Sequence, residues 1–280
     1  MISVIIPAHN EASVIRRTLK AVTEGMRAGE LEIIVVCNGC TDDTAVIART
    51  FEPIVRVVET AIAGKAHALN MGDSVAAGFP RVYADADVVI TTAAIRILAK
   101  CLEAGGLLAV APTPDFDLAS CSWAVRAIYQ IRSLLPSSRD GIGGSGVYAL
   151  SKTGRARFGE FPALTADDGY VRIQFTENER QIVADARSQV FPPKTLKDHI
   201  ATKTRAHYGA LELATAFPEL WRSRYQRNHG SLAKLFCYPW LWPQLSIYCL
   251  VTLIAKYRAH KRMRSGVVQW ERDQTSRATA

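Results

Sequence analysis

The chain has 280 residues, 49% apolar and 21% charged, a balance that excludes a disordered, collagen-like or low-complexity polymer. Its formal charge is +8, but residues 1–198 hold 21 Lys and Arg against 22 Asp and Glu, and residues 199–280 hold 13 against 4. The excess positive charge therefore lies wholly in the last 82 residues. A nucleic-acid enzyme with a basic main body is excluded, and a boundary is expected near Asp198.

In chain order, Ile2–Pro7 predicts a buried strand and Asn10–Met26 a helix. Leu31–Cys37 predicts a strand, Asp42–Phe51 a helix and Ile54–Val58 a short strand. Gly64–Ala77 reads as helix, Arg81–Ala84 as strand, Thr92–Ala104 as helix and Leu107–Ala111 as strand. Further on, Val147–Leu150 reads as strand and Tyr170–Phe175 as helix. Apolar strands alternating with helices imply an α/β fold, its mostly parallel sheet covered on both faces. Ligands of such sheets bind beyond the carboxyl ends of the strands.

Three of those ends are polar. Ala8-His9-Asn10-Glu11 follows the first strand, Asn38-Gly39-Cys40-Thr41-Asp42-Asp43-Thr44 the second and Asp85-Ala86-Asp87 the fourth. Asn10, Thr41 and Asp42 suit helix caps. Capping does not explain two aspartates at i and i+2 after a buried strand. Carboxylates so close repel unless a cation or solvent intervenes. Hard divalent cations take one or two carboxylates together with phosphate oxygens and water. The D-x-D triplet therefore suits a metal–diphosphate site.

The run Val4–Glu11, the loop Asn38–Thr44, the segment Gly64-Lys65-Ala66-His67-Ala68-Leu69-Asn70 and the triplet Asp85-Ala86-Asp87 occur in that order. Together they resemble the family 2 glycosyltransferases, inverting enzymes of the GT-A fold, over roughly residues 1–198. The resemblance implies a GT-A catalytic domain at 1–198 and a basic, apolar helical extension at 199–280. It implies that Pro7, Ala8, His9, Glu11 and Asn38 hold the nucleoside. Lys65 would lie near the base or phosphates, and Asp85 near the ribose or the metal. Asp87 would be the ligand of a Mn²⁺ or Mg²⁺ ion. The family often has Asp where Asn38 stands, and an amide can donate as well as accept.

Gly141-Ile142-Gly143-Gly144-Ser145-Gly146 matches G-x-G-x-x-G, but it precedes a strand, whereas a dinucleotide fingerprint opens a helix. In the resembled family such a turn, here with Gly143 and Gly144, lies beside the donor sugar; a plain flexible turn is the other reading. The family also has an acidic pair where Asp167-Asp168 stands, its second member the catalytic base. Asp168 is thus the expected base, with Asp167 the other candidate, and both also suit a helix N-terminus. Lys203 and Arg205 open the basic extension; Arg205 is the candidate cation for the leaving diphosphate, a solvated helix face being the alternative.

The six cysteines read as scattered reduced thiols, and Cys37-Asn38-Gly39-Cys40 as packing thiols in preference to a redox pair. No signal peptide is evident, so a cytoplasmic location is expected, at the inner face of the membrane. Leu235–Ala255 is 21 residues without a charge, interrupted by Pro239 and Pro243. With the cations up to Arg264 it suits peripheral association with a membrane through 235–264; packing on the protein, on a second copy, or a full span are the alternatives.

The expected activity is transfer of a sugar from a nucleoside-diphosphate donor to a hydroxyl of a glycan, lipid-linked or small-molecule acceptor, in cell-envelope polysaccharide or glycolipid synthesis. Nucleic acid is not an expected partner; a homodimer is allowed. The rival readings are a nucleotidyltransferase on a similar scaffold and a non-catalytic binding protein of this fold.

Overall fold

Seven consecutive residues, Ile2–Ala8, are buried and form β1. A strand covered by helices on both faces must be apolar throughout, which is why Val4, Ile5 and Ile6 follow one another without polar alternation. The coordinates are a computed structural model that describes residues 1–136, 142–224 and 231–265. β1 pairs in parallel with β2 (Leu31–Asn38) and with β4 (Arg81–Ala84), and β2 with β3 (Val55–Thr60). The other strands are β5 (Val89–Ile90), β6 (Ala109–Phe116), β7 (Val147–Leu150) and β8 (Arg180–Val190). The sheet order is β3-β2-β1-β4-β7-β6-β8-β5; β7 runs antiparallel to β4 and β6, and β5 antiparallel to β8.

The chain divides into two compact units. The first holds residues 1–116 and 141–190 and contains the sheet; the second holds 117–140 and 191–278. In the first unit, α1 (Ile15–Thr23) buries Ile15, Thr18, Leu19 and Val22, the i, i+3, i+4, i+7 face of an amphipathic helix. The helix expected from Asn10 begins only at Ile15. Asn10 has a left-handed φ of 50°, and its side chain is engaged with Thr41, so the backbone cannot enter the helix there. α2 (Thr44–Arg49), α3 (Lys65–Val75) and α4 (Thr92–Glu103) follow, the last capped by the Thr91 hydroxyl accepting from Ala94 N. α3 lies so close to the sheet that a Cβ at Gly72 would stand 2.5 Å from Ile5 Cγ2. That close approach fixes where the start of α3, and with it Lys65, meets the sheet edge. α6 (Lys152–Arg155) and α7 (Asp167–Ile173) complete the helices described in this unit.

The second unit is helical: α5 (Trp123–Leu134), α8 (Leu196–Ala216), α9 (Pro218–Arg224), α10 (Ser231–Leu235) and α11 (Trp242–Ser265), with a 3₁₀ turn at Pro239–Leu241. The uncharged run 235–255 is therefore no single helix, because Pro239 and the 3₁₀ turn break it. Among the described residues no helix is long and apolar enough to cross a membrane, which removes the full-span reading for that part of the chain.

Within this unit His207 is half-buried and faces cations of two helices. Burial first, then Lys203, Lys256 and His260, push its pKa down to about 4. Lys203 is itself pushed down to about 8 by burial and by Arg132. His207 thus stays neutral in the folded chain at pH values where the unfolded chain protonates it. Between pH 6.5 and 4 the unfolded state binds the extra proton, so this residue's contribution to stability falls as pH falls. Lys203 is charged in both states across that window and cancels. Allowing for partial exposure, wild type should lose about 1 kcal/mol, roughly 2–4 °C in Tm, relative to His207→Gln between pH 7 and pH 5. Parallel melting curves for the two proteins at both pH values would show it.

Candidate active site

Because β1, β2 and β4 are parallel neighbours, their carboxyl ends share one edge. β7 enters the sheet at that edge from the opposite direction, with Val147 opposite Ala84. The turn before β7 is thereby delivered beside the residues that follow β4. Asp85 N donates to Gly146 O at 2.8 Å. Gly146 has φ +66°, and a Cβ there would meet Val88 Cγ2 at 2.5 Å and Asp85 Oδ2 at 3.2 Å. Glycine is required by conformation and by space. Gly141, the first glycine of the motif, lies outside the described residues.

The ends of β1 and β2 are knitted together. Asn38 is buried; its Nδ2 donates to Ala8 O at 2.8 Å and its Oδ1 accepts from Gly64 N at 2.9 Å. One amide so joins β1, β2 and the start of α3. An aspartate would set a carboxylate oxygen against the Ala8 carbonyl, which accounts for Asn at this position. His9 Nδ1 lies 2.6 Å from Asn38 O. Glu11 is buried, its backbone N donating to Thr44 Oγ1 at 2.7 Å, and Ala12 N donates to Asp42 Oδ2 at 3.1 Å. Pro7 and Ala8 are the last buried residues of β1. The nucleoside-site candidates thus share one corner, and much of their hydrogen bonding is spent on holding it rigid.

Lys65, the first residue of α3, reaches the neighbouring corner. Its Nζ lies 2.6 Å from Asp85 Oδ1 and 2.9 Å from Asp167 Oδ1. Asp167 is buried, with 5% of its surface exposed. Burial, and then the charges of Asp168 and Asp85, raise its pKa above the usual carboxylate range against the opposing pull of Lys65. Burial works against the Lys65 charge in turn, but Asp167, Asp85 and Asp168 outweigh it and hold the ammonium above its ordinary value. Asp168 stands at the mouth of this cluster: its Oδ2 accepts from Gly144 N at 3.2 Å and its Oδ1 from Gly169 N at 2.7 Å. A Cβ at Gly143 would lie 3.7 Å from Asp168 Oδ2.

The structure thus joins Lys65, Asp85, Asp167, Asp168, Gly143 and Gly144 in one cluster. The helix expected from Tyr170 begins at Asp167, so both acids occupy its first turn, where the backbone N–H groups favour negative charge. The loop ahead of them is clamped by Asn70, which had no assigned role in the sequence: Asn70 Nδ2 donates to Phe161 O at 3.0 Å and Phe161 N donates to Asn70 Oδ1 at 2.7 Å. The backbone around Asp87 is fixed to α1, Ala86 O accepting from Thr18 Oγ1 at 2.7 Å and Asp87 O from the Arg17 guanidinium at 3.2 Å. Arg205 lies on α8, in the second unit.

Among the described residues no group of three or more His, Cys, Asp or Glu side chains could enclose a metal ion unaided. Two carboxylates on one short turn are nevertheless a hard oxygen donor set. They fit Mg²⁺ or Mn²⁺ when the other coordination positions are filled by ligand oxygens and water. Cys37 and Cys40 are free, and burial pushes the Cys37 thiol up to about 12, which removes the thiolate a redox pair needs.

A mostly parallel sheet with carboxylates gathered at one carboxyl edge is the arrangement of an α/β protein that binds its ligand there. Residues 3–139 match the family model described as glycosyl transferase family 2. Solved structures share its GT-A fold. A mannosyltransferase from Pyrobaculum calidifontis, in complex with GDP-Man and Mn²⁺, is 22% identical with a TM-score of 0.63, over 95% of this chain and 76% of that one. TarS 1–349 of S. aureus, in complex with UDP-GlcNAc, is 16% identical with a TM-score of 0.54, over 95% and 92%. Glucosyl-3-phosphoglycerate synthase from Mycobacterium tuberculosis, with Mn²⁺, UDP and glucosyl-3-phosphoglycerate, is 21% identical with a TM-score of 0.51, over 76% and 79%. No curated protein matches the chain.

Proposed function

We propose that the protein is a metal-dependent, inverting glycosyltransferase that moves a sugar from a nucleoside-diphosphate donor to an acceptor hydroxyl in cell-envelope polysaccharide or glycolipid synthesis. The observation that carries the reading is the meeting of Lys65, Asp85, Asp167 and Asp168 with the Gly143–Gly146 turn at the carboxyl edge of β4. Nucleotide, diphosphate and acceptor chemistry would then occupy adjoining corners of one edge. The GDP-Man with Mn²⁺, the UDP with Mn²⁺ and the UDP-GlcNAc held by the three structures named above support the same assignment.

The two aspartates of the pair differ, and the difference favours Asp168. Asp167 is buried against Lys65, whereas Asp168 is held by two backbone N–H groups and is only half-buried. Asp168 is the base. It takes the proton of the acceptor hydroxyl as that oxygen bonds to the anomeric carbon. The sugar–phosphate bond breaks on the opposite face, its electron pair leaving with the nucleoside diphosphate, and the configuration inverts. Asp87, with Asp85, would hold a Mn²⁺ or Mg²⁺ ion, whose charge would offset that of the leaving diphosphate. Lys65 holds Asp85 and Asp167 together until the donor arrives.

A ligand that binds only the folded state raises its stability, by about 2.7 kcal/mol at a hundredfold excess over Kd. In a melting panel of UDP- and GDP-sugars, one donor should raise Tm with Mn²⁺ and much less without it. Asp87→Ala should abolish the Mn²⁺-dependent part of that rise. A variant that responds as wild type does would remove Asp87 from the metal site.

A further inference from the structure

Within the second unit, α11 is apolar on two opposite sides. Its buried residues are Leu245, Val251, Ala255 and Ala259, and Leu245 packs with Ile131, Leu135, Leu235 and Leu241. At about 100° per residue, Trp242, Leu250, Leu253 and Tyr257 fall on a different stripe. They are 54%, 58%, 65% and 70% exposed. Trp240, at 69%, and the exposed Phe236 and Tyr238 extend this surface onto the turn that leads into the helix. Trp242 Nε1 donates to Phe236 O at 3.0 Å, so the indole's one donor is satisfied inside the turn and its apolar surface is what remains outside.

The stripe changes character along its length. Lys261 and Arg264 continue it at i+4 and i+7 from Tyr257, and Lys256 and Arg258 flank it. Residues 231–265 contain no Asp or Glu at all. An exposed aromatic and aliphatic end that passes into a cationic end matches the two layers of a lipid interface. Trp and Tyr sit at headgroup depth, aliphatic side chains reach the acyl boundary, and Lys and Arg meet anionic headgroups.

We propose that this face seats the second unit on an anionic lipid surface, with α11 lying in the plane of the interface. The alternative occupant, a second copy of the chain, fits less well. A two-fold pairing of this face would bring its cations together with no acid in 231–265 to offset them. The proposal does not depend on the transferase reading, since it uses no residue of that site.

The test is flotation of the full chain with vesicles of phosphatidylcholine alone and of phosphatidylcholine with phosphatidylglycerol. Binding should favour the anionic vesicles, weaken with salt, and shift tryptophan emission to shorter wavelength with quenching by brominated acyl chains. Leu253→Ser with Tyr257→Ser should weaken binding about tenfold or more, and Lys261→Glu with Arg264→Glu should remove the preference for anionic lipid. All four side chains are outside the unit's core, so melting curves should match wild type. Absence of binding, or equal binding by both variants and wild type, overturns the proposal. A lipid-independent dimer that Leu253→Ser dissociates would assign the face to a second copy.

Discussion

Asp168→Asn is expected to leave a folded, nucleotide-binding protein that transfers no sugar, with turnover down by about 10²–10⁴-fold, the range over which a positioned general base contributes. The substitution is nearly isosteric: the one amide oxygen can keep accepting from Gly169 N, and only the longer bond from Gly144 N is given up, so the start of α7 keeps its shape. What disappears is the ability to take a proton. KM for the donor should change little, because the loss lies in the transfer step. Steady-state release of nucleoside diphosphate, together with donor affinity by calorimetry, separates the two quantities. If Asp168→Asn remains active while Asp167→Asn is inactive at wild-type stability, the two carboxylates exchange roles. If nucleotide affinity falls in parallel with turnover, Asp168 serves the donor and not the acceptor.

Much of this architecture was legible in the residues. Val4, Ile5 and Ile6 follow one another without polar alternation, and a strand buried on both faces tolerates that; Val147–Leu150 was readable for the same reason. β8 was not, because Arg180–Val190 mixes Arg, Asp, Ser and Gln with few apolar residues, and its buried positions follow no regular alternation. α5 has no counterpart among the expected elements, and α7 begins at Asp167, ahead of the apolar period that starts at Tyr170, because the acids of a first turn carry no apolar period of their own. The start of α1 was placed too early because Asn10 was read as a cap, whereas the structure uses its side chain across the chain on Thr41.

The site divides in the same way. Asp85, Asp87, Asn38 and Lys65 stand out because they follow strands, where a parallel sheet presents its ligands. The structural use of Asn38, donating to Ala8 O while accepting from Gly64 N, depends on the register of β1 against β2 and cannot be read from spacing. The same holds for the clamp of Asn70 on Phe161 and for the ion pair of Lys65 with Asp167, both of which join segments far apart in the chain. Local pattern announces which residues are chemically unusual. Only the fold decides which unusual residues neutralise one another.

That last pairing yields the second large effect. Asp167 is almost fully buried beside two other carboxylates, Asp85 and Asp168, and Lys65 is the cation that lies against it. A buried ion pair adds little net stability while intact, but removing one partner strands the other charge, at about 3–5 kcal/mol. The Lys65 side chain is 30% exposed, so water entering the vacated space should hold the loss for Lys65→Met near the lower end, roughly 3 kcal/mol. Asp167→Asn, introduced on top of Lys65→Met, removes the stranded charge and should recover most of that loss, giving strongly non-additive free energies in a denaturation cycle. Additive losses would mean that Lys65 stabilises the edge by packing its methylenes and not by its charge. Restored stability should come without restored transfer, because the double variant still lacks the cation beside Asp85. The ammonium that keeps three carboxylates together in the unliganded protein is therefore expected to be structural and functional at once, and the double variant is the protein in which those two roles separate.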